Sequence, residues 1–243
     1  MDRTVLINLA RRPDRRAAFF AQPQLEDFPF STLKLFPAID GWATPLPVGW
    51  ASGSGSRGCQ QSHLAVLGEA IRDEVDNLLV LEDDAQLAPN FASGAAKFMA
   101  EVPPDWDCLM LGGQHRGERP EIVSPGIVRC LNCQRTHAYL IRGECMVMLY
   151  SLYDSMTSGH IDHIANRWQP NWRVYAPDPF LVGQAAGKSD INCKIEPTRF
   201  WSNINAAGRQ FAGRTRHPHC RLSDTQAHAP KEANNPANLA AAR

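Results

Sequence analysis

Leu78-Leu79-Val80-Leu81 runs directly into Glu82-Asp83-Asp84, and that junction constrains the fold more tightly than any other stretch of the chain. Four consecutive large apolar residues predict a short strand buried on both faces, as at the centre of a parallel sheet. The three carboxylates then fall where that strand leaves the core. In open α/β sheets the crevice beyond the carboxyl ends of the strands is where ligands bind. Three adjacent acids repel one another, so a cation is their natural partner. Hard divalent ions such as Mg2+ or Mn2+ take oxygen ligands and bridge substrate phosphates, which points to a metal–diphosphate site. A solvated acidic turn would use the same residues, but the buried strand before it and the motifs around it argue against that.

A core on both faces of such a strand needs length and apolar content, and 243 residues with 44% hydrophobic side chains supply both. One domain over residues 1–222 is expected, followed by a disordered tail, 223–243, rich in Ala, Asn and Pro. The net charge of zero excludes a globally basic nucleic-acid binder. It hides a local asymmetry. Lys188, Lys194, Arg199, Arg209, Arg214, Arg216 and Arg221 face only Asp190 and Glu196 in the 188–221 segment, which could meet a diphosphate or an anionic acceptor. Thr4–Leu9 predicts a strand and not a signal peptide, since Asp2 and Asn8 flank too short an apolar run. No run approaches the roughly 18 apolar residues of a membrane span. Seven scattered cysteines without a secretion signal are expected to be reduced thiols in a cytoplasmic protein.

In chain order, Val5-Leu6-Ile7 predicts the first buried strand, and Arg11–Arg16 opens a helix with Pro13 in its first turn. Basic residues at a strand-to-helix turn suit phosphates. Ser31–Phe36 predicts a second strand, and Gly49–Gly58 a flexible glycine-serine loop that lacks the Gly-Lys-Ser/Thr ending of a P-loop. Leu64, Leu67, Ile71 and Val75 recur at helical spacing and predict a helix over Gln60–Glu74. A helix over Pro89–Val102, a buried strand over Trp106–Gly113 and an amphipathic helix over Gly143–Met156 follow. Ile122–Cys130 and His137–Ile141 are expected to pair as a hairpin, and Trp172–Tyr175 to form the last core strand. Pro177–Gln184 should be extended. Alternating strands and helices give an α/β fold with a mainly parallel sheet flanked by helices.

Several short motifs occur in a fixed order. They are Ile7-Asn8-Leu9 with Arg12-Pro13-Asp14-Arg15, Ala38-Ile39-Asp40-Gly41, Gly58-Cys59 with Ser62-His63-Leu64, and Leu81-Glu82-Asp83-Asp84. Later pieces are Trp106-Asp107, Leu111-Gly112, Thr136–Leu140, Ile161-Asp162, Leu181–Gln184 and Ser189-Asp190-Ile191. Together they resemble glycosyltransferase family 25, which includes bacterial lipooligosaccharide galactosyltransferases and collagen hydroxylysine galactosyltransferases. The resemblance spans about residues 4–191. It implies a GT-A fold of Rossmann type, a UDP-sugar donor carrying a hexose (galactose or glucose), Mn2+ or Mg2+, and inversion at the anomeric carbon. By that match Asp84 would bind the metal, with Glu82 sharing it or facing the ribose beside Asp83. Asn8, Arg12 and Asp14 would cradle uridine, and Asp40, Ser62, His63 and Gln184 would complete the donor site. Asp162 would be the general base on the acceptor hydroxyl, with His160 or His163 able to complete the metal shell.

Arg57 departs from this pattern, standing where an acid would precede Gly58-Cys59, and the loop before it is unusually rich in glycine and serine. Two other functions fit parts of the chain. Cys130-x2-Cys133-x3-His137, with Cys108 or Cys145, has zinc-like spacing and would suit a zinc-stabilised binding module. The basic 188–221 segment with Phe200 and Trp201 would suit an acceptor that is a hydroxymethylated base of phage DNA, in place of a glycan or a lipid-linked sugar.

Overall fold

The computed structural model describes residues 3–191 and 194–201. The expected tail, 223–243, and most of the basic segment lie outside them. In chain order the strands are β1 (Arg3–Asn8), β2 (Leu33–Pro37), β3 (Asn77–Glu82), β4 (Ala85–Leu87), β5 (Cys108–Met110), β6 (Gln114–His115) and β7 (Glu121–Ser124). They continue with β8 (Ile127–Arg129), β9 (Cys133–Gln134), β10 (Ala138–Arg142), β11 (Val174–Pro177), β12 (Val182–Gln184), β13 (Gly187–Lys188) and β14 (Ile195–Glu196). The helices are α1 (Pro13–Phe20), α2 (Gly53–Arg72), α3 (Phe91–Glu101) and α4 (Gly143–Asp154).

Eight strands form one sheet in the order β2-β1-β3-β10-β5-β11-β8-β7. β2, β1 and β3 are parallel, and β5, β11 and β7 share their direction; only β10 and β8 run against it. The fold is therefore the expected α/β class with a mainly parallel sheet between helices.

Side-chain alternation explains why the four central residues of β3 are all apolar. Leu78 and Val80 join Val5, Ile7 and Tyr139 on the face covered by α2 and α4. Leu79 and Leu81 join Leu6, Ala138 and Leu140 on the face that carries Phe19 of α1 and Phe91 and Phe98 of α3. All four β3 residues are fully buried, each contributing roughly 1.5–3 kcal/mol through burial. Beyond Leu81 both faces open, and the strand meets the acids.

Two expectations change. α2 begins at Gly53, inside the stretch expected to be a flexible loop. Its glycines serve close backbone approach: a Cβ on Gly55 would lie 2.3 Å from the Asp190 carbonyl oxygen, and one on Gly58 would lie 2.6 Å from the Gly41 nitrogen. The hairpin expected between 122–130 and 137–141 does not form. β7 instead turns back on β8 through Gly126 at φ +83°, while β10 enters the sheet between β3 and β5. Ile161-Asp162-His163 open a 3-10 turn over Ile161–Arg167, with His160 at its N-cap.

Candidate active site

The acids emerge into a cleft of about 1240 Å3. β3 ends as Glu82 N–H donates to the His137 carbonyl and Asp83 N–H to the Ile7 carbonyl, so the acidic turn is tied to strands on both sides. β4 then leaves the sheet and pairs with β12, which sets Gln184 opposite Ala85 and lets Ala185 N–H donate to the Asp84 carbonyl at 2.7 Å.

Each carboxylate meets different surroundings. Glu82 Oε1 accepts from Thr136 Oγ1 at 3.0 Å and lies 3.1 Å from His63 Nε2, whose Nδ1 is 3.0 Å from the Tyr139 hydroxyl. Burial opposes its charge, but His63, His137 and Thr136 outweigh that and hold Glu82 well below the usual carboxylate range. Asp83 points back into the protein, taking Asn8 Nδ2 at 2.7 Å and Arg15 Nη1 at 3.0 Å. Burial still raises its pKa. Asp84 has the weakest support. Burial and the charges of Glu82 and Asp83 push its carboxyl up to about 7 against the pull of Arg15, 3.5 Å away, and Gln184 at 3.5 Å. Its Oδ1 is buried with no hydrogen-bond partner among the described residues. A buried carboxylate oxygen left so is costly, and a divalent cation would satisfy it.

Glu82, His63 and the Cys59 thiol bring ligand atoms within 4.8 Å of one another, and Asp84 lies outside that group. Glu82 and Asp84 both border the cleft and are the carboxylates that could offer oxygen to a hard cation, with His63 hydrogen-bonded to Glu82. The half-buried Cys59 thiol, whose pKa desolvation raises, is a poor donor for such an ion.

The expected donor residues are distributed unevenly. Asp40, Ser62, His63, Glu82, Asp83, Asp84 and Gln184 border the cleft; Asn8, Arg12 and Asp14 do not. Asn8 is buried behind Asp83, and its Nδ2 also donates to the Arg12 carbonyl. Arg12 turns away to Asp14 at 2.8 Å and Asp190 at 2.5 Å, and exposed Asp14 is held near 2 by that guanidinium. Arg11 and Arg15 take their places in the wall: Arg11 bonds Asp40 at 2.7 Å and Asp190 at 2.5 Å. Ser62 Oγ is spent inside the protein, accepting from Ile39 N–H and donating to the Gly58 carbonyl. Arg57, the departure noted in the sequence, stacks over Trp50 at 5.0 Å.

Asp162 borders the cleft in the first turn of its 3-10 helix, whose N-cap is His160. His163 Nε2 is 3.8 Å from its Oδ1, and the His160 and His163 rings are 4.8 Å apart. Of the aromatics expected to stack a base, Trp201 already has Arg135 over its ring at 5.1 Å and His137 at 6.1 Å, whereas Phe200 is partly exposed. Arg15, Thr136 and Tyr139 were not singled out from the sequence as site residues. The one available signal was that Arg15 belongs to the basic turn after β1 and Thr136 directly precedes a core strand.

The model for Glycosyltransferase family 25 (LPS biosynthesis protein) matches residues 52–124, a stretch that carries α2, β3 and the acids. The human inactive glycosyltransferase 25 family member 3 is 29% identical over 164 residues, covering 58% of this chain and 27% of the relative. Mouse procollagen galactosyltransferase 2 is 26% identical, covering 56% and 25%. Putative glycosyltransferase R655 of Acanthamoeba polyphaga mimivirus is 30% identical over 126 residues, covering 47% and 38%. The chain thus spans a quarter to two-fifths of these curated relatives' lengths. Among solved structures, a glycosyltransferase involved in the glycosylation of the major capsid of PBCV-1 aligns with 72% of this chain and 81% of its own, at a TM-score of 0.45 and 12% identity. Over residues 52–124, a stretch that includes the acidic turn, the chain is thus similar to glycosyltransferase family 25, and its human relative carries that family's name.

Proposed function

We propose that the chain is a metal-dependent, inverting hexosyltransferase that moves a sugar from a UDP-sugar to an acceptor hydroxyl of a glycan. The observation that carries this reading is the buried, unpartnered Asp84 Oδ1 at the mouth of a cleft large enough for a sugar nucleotide. Glu82 and Asp84 would hold Mn2+ or Mg2+. The bound ion would supply a positive charge that stabilises the departing diphosphate. Arg11 and Arg15 add positive charge along the same wall, where oxyanions would lie. Asn8 and Arg15 engage one oxygen each of the Asp83 carboxylate, which keeps the turn in shape without a third ligand.

Asp162, which borders the cleft, would take the proton of the acceptor hydroxyl as that oxygen forms its bond to the anomeric carbon. The bond from that carbon to the β-phosphate oxygen breaks on the opposite face, and its electron pair leaves with UDP.

A thermal-shift comparison of UDP, GDP, CMP and their sugar conjugates, with and without Mn2+, tests the reading. A ligand at about a hundred times its dissociation constant stabilises the native state by roughly 2.7 kcal/mol, about 5–10 °C for a chain of this size. UDP or a UDP-sugar should give that shift only with Mn2+. Asp84→Ala should abolish it while the free protein melts no lower than wild type, because the substitution removes a charge repulsion. A metal-independent shift, or an unchanged one in the variant, would place the donor elsewhere. Binding is measured apart from turnover because one relative is named as inactive.

A further inference from the structure

Apart from the acids, a second cluster of ligand-type side chains lies wholly inside the protein. β6 and β9 pair antiparallel with His115 opposite Cys133, and Cys130 stands just beyond β8. The imidazole and the two thiols bring their ligand atoms within 4.8 Å of one another, and all three residues are at most 3% exposed. None of them borders the cleft.

Each is fixed from a different direction. Cys130 N–H donates to the Val174 carbonyl of β11 at 2.8 Å. Cys133 is clamped by Gln169, which accepts from its N–H at 2.7 Å and donates to its carbonyl at 2.9 Å. The His115 ring lies against Phe180, centroids 5.5 Å apart and 18° from parallel. Cys133, not Cys130, is the residue that Gly113 accommodates, since a Cβ there would fall 2.3 Å from its sulfur. The zinc-like spacing in the sequence thus closes with a different histidine: His137 is absent from the group, its Nε2 facing the Val182 carbonyl, and Cys108 and Cys145 stand apart as ordinary buried thiols.

We propose that His115, Cys130 and Cys133 hold a structural zinc ion. A tetrahedral ion with Zn–S of about 2.3 Å and Zn–N of about 2.0–2.1 Å needs donors roughly 3.5–3.8 Å apart, a contraction of at most about 1.3 Å from the present spread. Two thiolates and a neutral imidazole balance the charge of Zn2+, so the loaded site suits an apolar interior. Binding releases the two thiol protons to solvent. Three protein donors leave the fourth position for a water. The ion would pin the β6–β9 ribbon to β11, and through Gln169 to the turn just after the 3-10 helix that carries Asp162. Arg135 and Thr136, two and three residues after Cys133, border the cleft. The zinc site therefore sets the acceptor-side wall, and it stands whether or not the donor reading does.

Metal analysis of the full-length protein, purified without chelator and dialysed against metal-free buffer, tests this. One equivalent of zinc per chain is expected, falling at least tenfold in the double substitution Cys130→Ser, Cys133→Ser and unchanged in Asp84→Ala. Should the double variant not fold, cobalt replaces zinc in the wild-type protein and must give the intense near-ultraviolet thiolate-to-cobalt absorption. Less than a tenth of an equivalent, zinc retained by the double variant, copper in its place, or a Cys130–Cys133 disulfide detected by mass would each overturn the proposal.

Discussion

His137 shows how much a single buried side chain can contribute to pH dependence. Burial, outweighing the attraction of Glu82, lowers its imidazole from 6.5 to about 4. The unfolded chain takes that proton near pH 6.5 and the folded one only near 4, so this contribution is complete above the upper value and is lost as pH falls toward the lower. Asp84, pushed up to about 7, acts in the opposite sense, so a difference between proteins is the right readout. Between about pH 7 and pH 5, wild type should lose roughly 2 kcal/mol more stability than His137→Gln, measured by urea denaturation. Equal losses would show that the imidazole is protonated in the folded state. At Asp162 the separable quantity is turnover: Asp162→Asn should bind UDP like wild type and lose at least a hundredfold in transfer, and unchanged transfer would remove it as the base. The acids themselves were legible in the sequence, because an apolar run ending in three carboxylates leaves few physical options. The division of labour among them was not. Asp83 faces inward because Asn8 and Arg15 reach it from β1 and α1, 75 and 68 residues away, and no local pattern encodes such a pairing.

At the level of elements, α2 separates two roles of glycine that composition cannot distinguish. Gly58→Ala should gain roughly 1 kcal/mol in helix propensity, yet its new methyl would meet the backbone of Gly41 and Ile39 at 2.6 Å. Backbone cannot step aside as a side chain can, so a net loss of roughly 1–3 kcal/mol is expected. Gly68→Ala, on the same helix, meets only the Tyr150 ring at 3.0 Å and should leave the melting temperature within a few degrees of wild type. Equal effects would mean that the helix start is not clamped against residues 39–41. This is why the glycine-serine stretch resembled a linker: flexibility and close approach select the same residues. β1, β3 and α4 were readable because each carries its period over several turns or pleats. β4, β12 and the β6–β9 ribbon are two or three residues long and owe their existence to partners far along the chain.

Across the whole molecule, the sheet is two blocks of strands joined by one reversed member. β2, β1 and β3 make the first, β5, β11, β8 and β7 the second, and β10 is the seam. Class and layering could be foreseen from the alternation of apolar runs and helical periods, but the seam could not, since apolar content fixes burial and says nothing of direction. The cleft lies over the first block and draws Thr136 from the chain entering the seam. This arrangement has a consequence for the order in which the protein can assemble as it is synthesised. β5 is complete by residue 110, yet it has no edge to dock on until β10 has emerged some thirty residues later and lain against β3. Until then a nascent chain exposes two raw strand edges, the state most prone to join a neighbouring chain. The stretch matched by the family model, residues 52–124, ends inside that interval. It holds the acids but lacks β1 and β10, the two strands that flank β3 in the sheet.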